Sequence, residues 1–277
     1  MMSNYVLCNK IGEGGYSSVY RCKDQVGISY ACKKILKSKV RKERVIREIE
    51  IMKSLAYCPT AIKLIEAGED NDNYYIIQEL CKRGSLSDYK KHEENEVKII
   101  IRGVLRALHH IHKDGVLHCD IKPGNIFIFE DMEIKLGDFG SAMRLDTQDP
   151  NNTYLSGTPH FMAPETLNNV CNAKSDIWSL GVMLYYFISG RLPFNDKNNK
   201  NNPELLSVCK SIFMDEPLFV NDLWLNVSKS CTDFITQCLI KDHTKRPSIL
   251  ECLHHPWLLD DVDNIPLYKN NIVLSTL

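Results

Sequence analysis

Val116-Leu117-His118-Cys119-Asp120-Ile121-Lys122-Pro123-Gly124-Asn125 sets an aspartate, a lysine and an asparagine at fixed offsets, after a helix-like stretch and before a strand-like one. Thirteen positions after Asn125, across one predicted hairpin, comes Leu136-Gly137-Asp138-Phe139-Gly140. Phosphoryl transfer needs a carboxylate to orient a hydroxyl nucleophile, cations on the phosphates and oxygen ligands for magnesium. Asp120 supplies the first, Lys33 with Lys122 the second, and Asn125 with Asp138 the third. Any one of these triplets arises by chance; their order, spacing and strand or helix context together do not.

Upstream, Ile11-Gly12-Glu13-Gly14-Gly15-Tyr16-Ser17-Ser18-Val19 reads as a turn between two strands. Gly12 and Gly14 let the backbone come close to something bulky and anionic. The turn opens no helix, unlike a dinucleotide-binding fingerprint, and lacks the Gly-Lys-Ser/Thr ending of a P-loop. Lys33, in Tyr30-Ala31-Cys32-Lys33, lies on a strand fourteen positions after Val19. Strand alternation sends Lys33 and Lys34 to opposite faces, so only one can meet the turn. A lysine inside a cleft needs a counter-charge to keep its proton. Glu48, on the following helix, is the expected partner.

The rest of the chain excludes the main competing classes. It has 277 residues with 34 Lys plus Arg against 35 Asp plus Glu, a net charge of −1, so a general nucleic-acid binder is not expected. The longest apolar run, Val182 to Ile188, is seven residues, far short of the roughly 20 that a membrane helix requires. The first residues carry neither a signal-peptide pattern nor a myristoylation glycine, so an intracellular, cytoplasmic protein is expected. Eleven cysteines, with no C-x-x-C pair, read as free thiols, mostly small buried apolar groups. The spacing of Cys252, His254 and His255 does not require a metal, and His109, His110 and His112 read as helix-end residues near exposed carbonyls. Lys33 to Arg47 carries eight Lys/Arg and one acid, Glu43. That reads as a solvated helix face or as a dock for an acidic or phosphorylated segment. Asn195 to Asn202, with five Asn in eight residues, reads as a solvated loop.

Periodicity predicts strands at Tyr5–Leu7, Ser18–Cys22, Ser29–Ile35, Ile62–Glu66 and Tyr74–Glu79, around one helix from about Val40 to Leu55. That helix has its apolar positions at Val45, Ile46, Ile49, Met52 and Leu55. From Ser85 the period turns helical, at Val97–His112, Lys174–Ser189, Pro203–Ile212 and Ser230–Leu239. Strands at Ile126–Phe129 and Ile134–Leu136 interrupt it.

With these motifs in order, the chain resembles a eukaryotic protein kinase from about Tyr5 to Leu258. The resemblance implies an α+β, bilobal protein-kinase fold: a small β-rich N-lobe with one main helix over 1–78, a hinge at 79–84, a larger, mostly helical C-lobe over 85–258, and a short tail over 259–277. It implies ATP and Mg2+ as cofactors. Lys33 matches the lysine on the α- and β-phosphates, Glu48 its helix partner, Asp120 the catalytic aspartate and Lys122 the γ-phosphate lysine. Asn125 and Asp138 match the magnesium ligands. In Tyr75-Ile76-Ile77-Gln78-Glu79-Leu80-Cys81, Gln78 matches the gatekeeper, and backbone groups of Glu79 and Cys81 would hold the adenine edge. Ile11, Val19, Ala31 and Phe127 would enclose the ring. Ala163-Pro164-Glu165, Arg246 and the Asp176–Gly181 stretch match structural motifs of the C-lobe.

Asp120-Ile121-Lys122-Pro123 and Gly157-Thr158-Pro159 resemble serine/threonine rather than tyrosine kinases, with Thr158 expected to bond the catalytic aspartate. Gly190-Arg191-Leu192-Pro193-Phe194 and His255-Pro256-Trp257 resemble the calmodulin-dependent and calcium-dependent group. Only 20 residues follow Trp257, and no basic amphipathic helix or calcium loop is present, so neither a calmodulin-binding nor an EF-hand segment is expected. Three departures stand out. Ser17 replaces the third glycine, Cys119 replaces the arginine usual before the catalytic aspartate, and Ser85 and Gly124 replace glutamates that select basic substrates. The reading is a monomeric kinase of protein Ser/Thr hydroxyls, without nucleic-acid or membrane partners and without strong dependence on phosphorylation of Thr147, Thr153, Tyr154 or Ser156. Its rival is an ATP-binding pseudokinase acting as a scaffold.

Overall fold

The computed structural model describes residues 4–88, 93–129, 133–145, 157–195, 204–220 and 222–259. Its first part is an antiparallel sheet of β1 (Val6–Glu13), β2 (Ser17–Lys23), β3 (Ser29–Leu36), β4 (Leu64–Glu69) and β5 (Asn73–Gln78), in the order β1-β2-β3-β5-β4. Period-two alternation sorts the two faces. Cys22, Cys32, Tyr75 and Ile77 form a small cluster on one side, while Ile35 and Ile76 join the main core on the other. Register places Lys33 opposite Val19 on β2 and Ile76 on β5, so Lys33 shares the core-facing side.

α1 (Lys42–Ser54) packs behind this sheet. Its buried face carries Val45, Glu48, Ile51 and Met52, whereas Ile46 is exposed. The apolar periodicity therefore points the helix slightly wrongly. The inward stripe is rotated to include a glutamate, because an ion pair rather than a packing contact occupies that part of the interface.

The remaining elements are α2 (Glu94–Lys113), β6 (Val116–Leu117), β7 (Ile126–Ile128), β8 (Ile134–Leu136), β9 (Met143–Arg144), α3 (Pro164–Leu167), α4 (Ala173–Ser189), α5 (Leu205–Met214), α6 (Lys229–Cys238), α7 (Ile249–Leu253) and α8 (Pro256–Leu259). α2 buries an apolar stripe that includes Val97, Ile101, Val104, Leu108 and Ile111 against α4. α4 is buried almost all round, begins with a reciprocal Asn172–Ser175 capping box and ends at Gly190 with φ 68°. Trp178 on α4 stacks on Phe194 at 5.3 Å. One continuous core joins both parts of the chain, from Ile35 through Val104 and Trp178 to Leu258.

Expected and observed elements agree in type and order, with shifted ends. β1 runs on through Gly12 and Glu13, so the tight turn is only Gly14–Tyr16, and β4 starts at Leu64. Most of the Asn-rich stretch, the four activation-segment positions Thr147, Thr153, Tyr154 and Ser156, and all but Leu259 of the tail lie outside the described residues. All eleven cysteines are free thiols, six of them buried. No helix among the described residues is long and apolar enough to cross a membrane.

Candidate active site

The short β6, β7 and β8 strands position the site. His118 to Asn125 form the connection from β6 into β7, and Asp138 leaves β8. Two residues there take left-handed backbone, Cys119 at φ 61° and Asp138 at φ 59°, a conformation that non-glycine residues adopt only when their surroundings hold them.

Asp176, completely buried at the start of α4, holds the first. Its Oδ2 accepts the His118 backbone N–H at 3.0 Å, and its Oδ1 accepts that of Cys119 at 2.9 Å. His112 Nε2 approaches the same Oδ2 at 2.8 Å. Burial pushes the Asp176 carboxyl up, but His112 and His118 outweigh it and leave it below the usual range. The buried His118 ring accepts the Asp120 N–H on Nδ1 at 3.3 Å and donates from Nε2 to the Gly137 carbonyl at 3.0 Å. It thereby joins the Asp120 segment to the Asp138 segment.

Asp120 is the hub. Its Oδ2 accepts from Lys122 Nζ at 2.7 Å and from Asn125 Nδ2 at 3.0 Å, and its Oδ1 accepts the Thr158 N–H at 2.8 Å. The Thr158 hydroxyl bonds Lys122 Nζ at 2.7 Å. The expected threonine–aspartate link therefore exists, but through the backbone, because the hydroxyl is engaged by the lysine. Asn125 uses its amide nitrogen on Asp120, and its Oδ1 accepts nothing from the described residues.

Lys33 joins the two parts of the chain. Its Nζ lies 2.6 Å from Glu48 Oε1 and 2.8 Å from Asp138 Oδ1, a residue 105 positions away. Burial alone would pull the ammonium down, yet Asp138 and Glu48 hold it above its usual range. Asp138 is correspondingly held low by Lys33 against burial, while burial pushes Glu48 up. A Cβ on Gly140 would come within 3.2 Å of Glu48 Oε2 and 3.3 Å of Asp138 Oδ1, so a side chain there would press on this cluster. Asp138 Oδ2, like Asn125 Oδ1, accepts nothing from the described residues. The pair offers the oxygen donors that magnesium prefers.

The glycine turn is not explained by packing. A Cβ at Gly15 would meet nothing within 4 Å, and at Gly12 or Gly14 only ordinary contacts with Val19 or Ser17. The space above the turn is therefore open to a ligand. Val19 and Ala31 share the Lys33 face of β2 and β3, while Ile11 lies on β1 and Phe127 on β7. Gln78 ends β5 opposite Ala31. Beyond it, the Glu79 N–H is spent on the Lys63 carbonyl at 3.0 Å, and the Glu79 carboxylate turns away to Lys135 Nζ at 3.0 Å and the Lys63 N–H at 2.8 Å. The Glu79 carbonyl and the Cys81 N–H make no hydrogen bond to the described residues, while the Cys81 thiol donates to the Ile128 carbonyl at 2.8 Å.

The Glu13 side chain, at the end of β1, pairs with Lys10 in solvent, and Tyr16 packs by Arg44 at 5.9 Å, facing α1. Ser18 pairs with Glu13 and Lys34 within the sheet. His112 and His118 are the functional neighbours that sequence reasoning missed. The His112 spacing suggested a helix end, but its ring reaches a residue 64 positions away.

At the far end of the C-terminal part, Arg246 and Glu165 form a buried two-pronged pair at 2.6 and 3.0 Å. Ser175 also donates to Glu165 at 2.8 Å.

A family model described as the protein kinase domain matches residues 5–258. The chain is 34% identical to a serine/threonine-protein kinase, PEPKR2, of Arabidopsis thaliana, over 92% of this chain and 53% of that protein. It is 35% identical to calcium-dependent protein kinase 5 of Plasmodium falciparum, over 90% and 44% respectively. A probable myosin light chain kinase of Dictyostelium discoideum is 32% identical over 96% of this chain and 87% of its own length. The chain spans about half the length of most of the curated relatives it matches.

Proposed function

The chain belongs to the protein kinase family, its relatives being serine/threonine kinases, and we propose that it transfers the terminal phosphoryl group of MgATP to serine or threonine hydroxyls of protein substrates. The observation that carries this reading is the pair of clusters at one cleft: Lys33 between Glu48 and Asp138, and Asp120 among Lys122, Asn125 and Thr158. A pseudokinase reading would call for the loss of one of Lys33, Asp120, Asn125 or Asp138, and each is present and in hydrogen-bonded order.

Bound MgATP would supply an electrophilic phosphorus whose charge the metal spreads. This chain's residues do the rest. Asp120, held by three donors, orients the substrate hydroxyl and receives its proton. Lys33 and Lys122 neutralise phosphate charge, and the free oxygens of Asn125 and Asp138 hold the metal. The Glu79 carbonyl and the Cys81 N–H take the adenine edge, between Ile11, Val19, Ala31 and Phe127.

With Cys119 in place of an arginine, the position before Asp120 offers no guanidinium to a phosphate on the activation segment. Phosphorylation there is expected to alter activity little, and a roughly tenfold or greater loss on complete dephosphorylation would refute this. With Ser85 and Gly124 uncharged, selection for basic substrates should be weak.

The deciding test is incorporation of labelled γ-phosphate into a generic protein and a degenerate Ser/Thr peptide library, with Asp120→Ala as control and phosphoamino-acid analysis of the product. Transfer to serine or threonine that vanishes in the control supports the reading. ATP binding without transfer in the wild type would favour a scaffold.

A further inference from the structure

Glu79 follows β5, where the sheet passes into the helical part of the chain, and it is fixed from two directions. Its N–H donates to the Lys63 carbonyl at 3.0 Å, and its Oε1 accepts the Lys63 N–H at 2.8 Å. The residue just ahead of β4 thus grips both the backbone and the side chain of Glu79. From the other part of the chain, Lys135 on β8 reaches the same carboxylate, with Nζ 3.1 Å from Oε1 and 3.0 Å from Oε2. The Lys135 side chain is 8% exposed, and its Nζ also lies 4.4 Å from the centre of the Phe129 ring. A cation so nearly out of water needs a paired charge, and Glu79 supplies it.

We propose that Lys135 is a positioning residue for the nucleotide base: by gripping the Glu79 carboxylate it sets the Glu79 carbonyl against the 6-amino group of adenine. The inference rests on the ATP reading above and names what makes its adenine edge selective.

The surroundings of the pair point to this role. The N–H and the carboxylate of Glu79 are both engaged, which leaves its carbonyl for a ligand. Two residues on, the Cys81 thiol donates to the Ile128 carbonyl on β7 at 2.8 Å. The span from Glu79 to Cys81 is therefore tied at both ends to the β7–β8 hairpin, and the groups for the adenine edge lie between the ties. Register also sets Lys135 directly opposite Phe127, one of the residues taken to enclose the ring. The rung that carries part of the apolar wall carries the clamp as well, so ring and hinge are located against one element. An ion pair this far from water returns little net stability, because desolvation offsets the attraction. What it supplies here is geometry. An acceptor held in place rejects a ligand that lacks the matching donor, since the acceptor is then left unpaired.

The test is a cycle between protein and ligand on the full chain. A fluorescent ATP analogue is displaced by MgATP, and separately by the magnesium complex of purine riboside triphosphate, which is ATP without the 6-amino group. It needs no phosphoryl transfer. The wild type should prefer ATP by about fivefold, the worth of one neutral hydrogen bond. In Lys135→Met, which keeps the length and the apolar stem, the preference should fall to about twofold or less, with the loss on the ATP side. Lys135→Arg keeps the charge and should stay near the wild type. Glu79→Gln keeps an acceptor for the Lys63 N–H and should follow the methionine variant. In steady state the defect of Lys135→Met belongs in KM for ATP, with kcat within about twofold of wild type. A merely structural ion pair would weaken both nucleotides alike, so an undiminished ATP preference in Lys135→Met would overturn the proposal whatever the absolute affinities. A wild type that binds both nucleotides equally would overturn the carbonyl assignment and this proposal with it. A wild type that binds neither would overturn the ATP reading itself.

Discussion

Replacing His112 with leucine tests what holds the loop before Asp120 in place. Asp176 is fully buried and takes three hydrogen bonds, from His112 Nε2 and from the N–H groups of His118 and Cys119. An ionised carboxylate only accepts, so His112 is a donor here. Leucine keeps most of the volume and removes the donor, leaving Oδ2 with one partner. A hydrogen bond to a buried charge contributes about 1.5–3 kcal/mol. In a domain of this size each kcal/mol moves Tm by about 2–4 °C, so a fall of about 3–12 °C is expected. His112→Gln retains an N–H near the same place and should recover much of it. Turnover should fall with the leucine variant, since the amides that Asp176 orients lead directly into Asp120, while KM for ATP should hold because Lys33 and the sheet are untouched. Losing the donor also raises the Asp176 carboxyl toward its unfolded value, so the variant, less stable at neutral pH, should lose less further stability on acidification than the wild type. Thermal melts at neutral pH and steady-state phosphate transfer read these effects. A Tm within about 1 °C of wild type, with unchanged turnover, would refute the argument that His112 supports the loop.

Glu48→Gln removes one of the two carboxylates on Lys33 and lets the ammonium drift toward Asp138; a loss of about tenfold to a hundredfold in kcat/KM is expected in the labelled-phosphate assay, with thermal stability reported beside it. Glu165→Gln leaves Arg246, 1% exposed, without its counter-charge and should cost about 3–5 kcal/mol by urea unfolding. Acid should destabilise the fold through Asp138, Asp176 and Glu165, all held below their usual range. Their unfolded values are about 3.9 for Asp and 4.3 for Glu, so the stabilisation is complete above about pH 5 and is lost as pH falls below about 4 through the lower folded values. Glu48, pushed up by burial, acts with the opposite sign, and is one group against three. A urea midpoint that does not fall between about pH 5 and pH 3.5 would contradict this balance.

What could be read before any coordinates were the charged residues whose spacing is local. Asp120, Lys122 and Asn125 lie within one connection, and a turn of that length leaves them little choice but to converge. Strand alternation lets only one of Lys33 and Lys34 face the turn, the family resemblance selects Lys33, and the register puts Lys33 on the core-facing side. Glu48 shows the limit. Hydrophobic periodicity marks Val45, Met52 and Leu55, which are buried, together with Ile46, which is exposed, and Glu48 is placed on the inward face only by supposing that Lys33 needs a partner. His112 is unreadable for a different reason. It acts on a residue 64 positions away, and no local period encodes the path that brings the two together.

These contacts meet at one position. The buried Asp176 carboxylate is satisfied by the backbone amides of His118 and Cys119 and by His112, and Cys119, held at φ 61°, leads directly into Asp120. A cysteine there also leaves the position before Asp120 without a guanidinium for a phosphate on the activation segment. The loop is therefore held from within, by Asp176 and His112, and if His112→Leu left it undisturbed that link from Asp176 to Asp120 would fail.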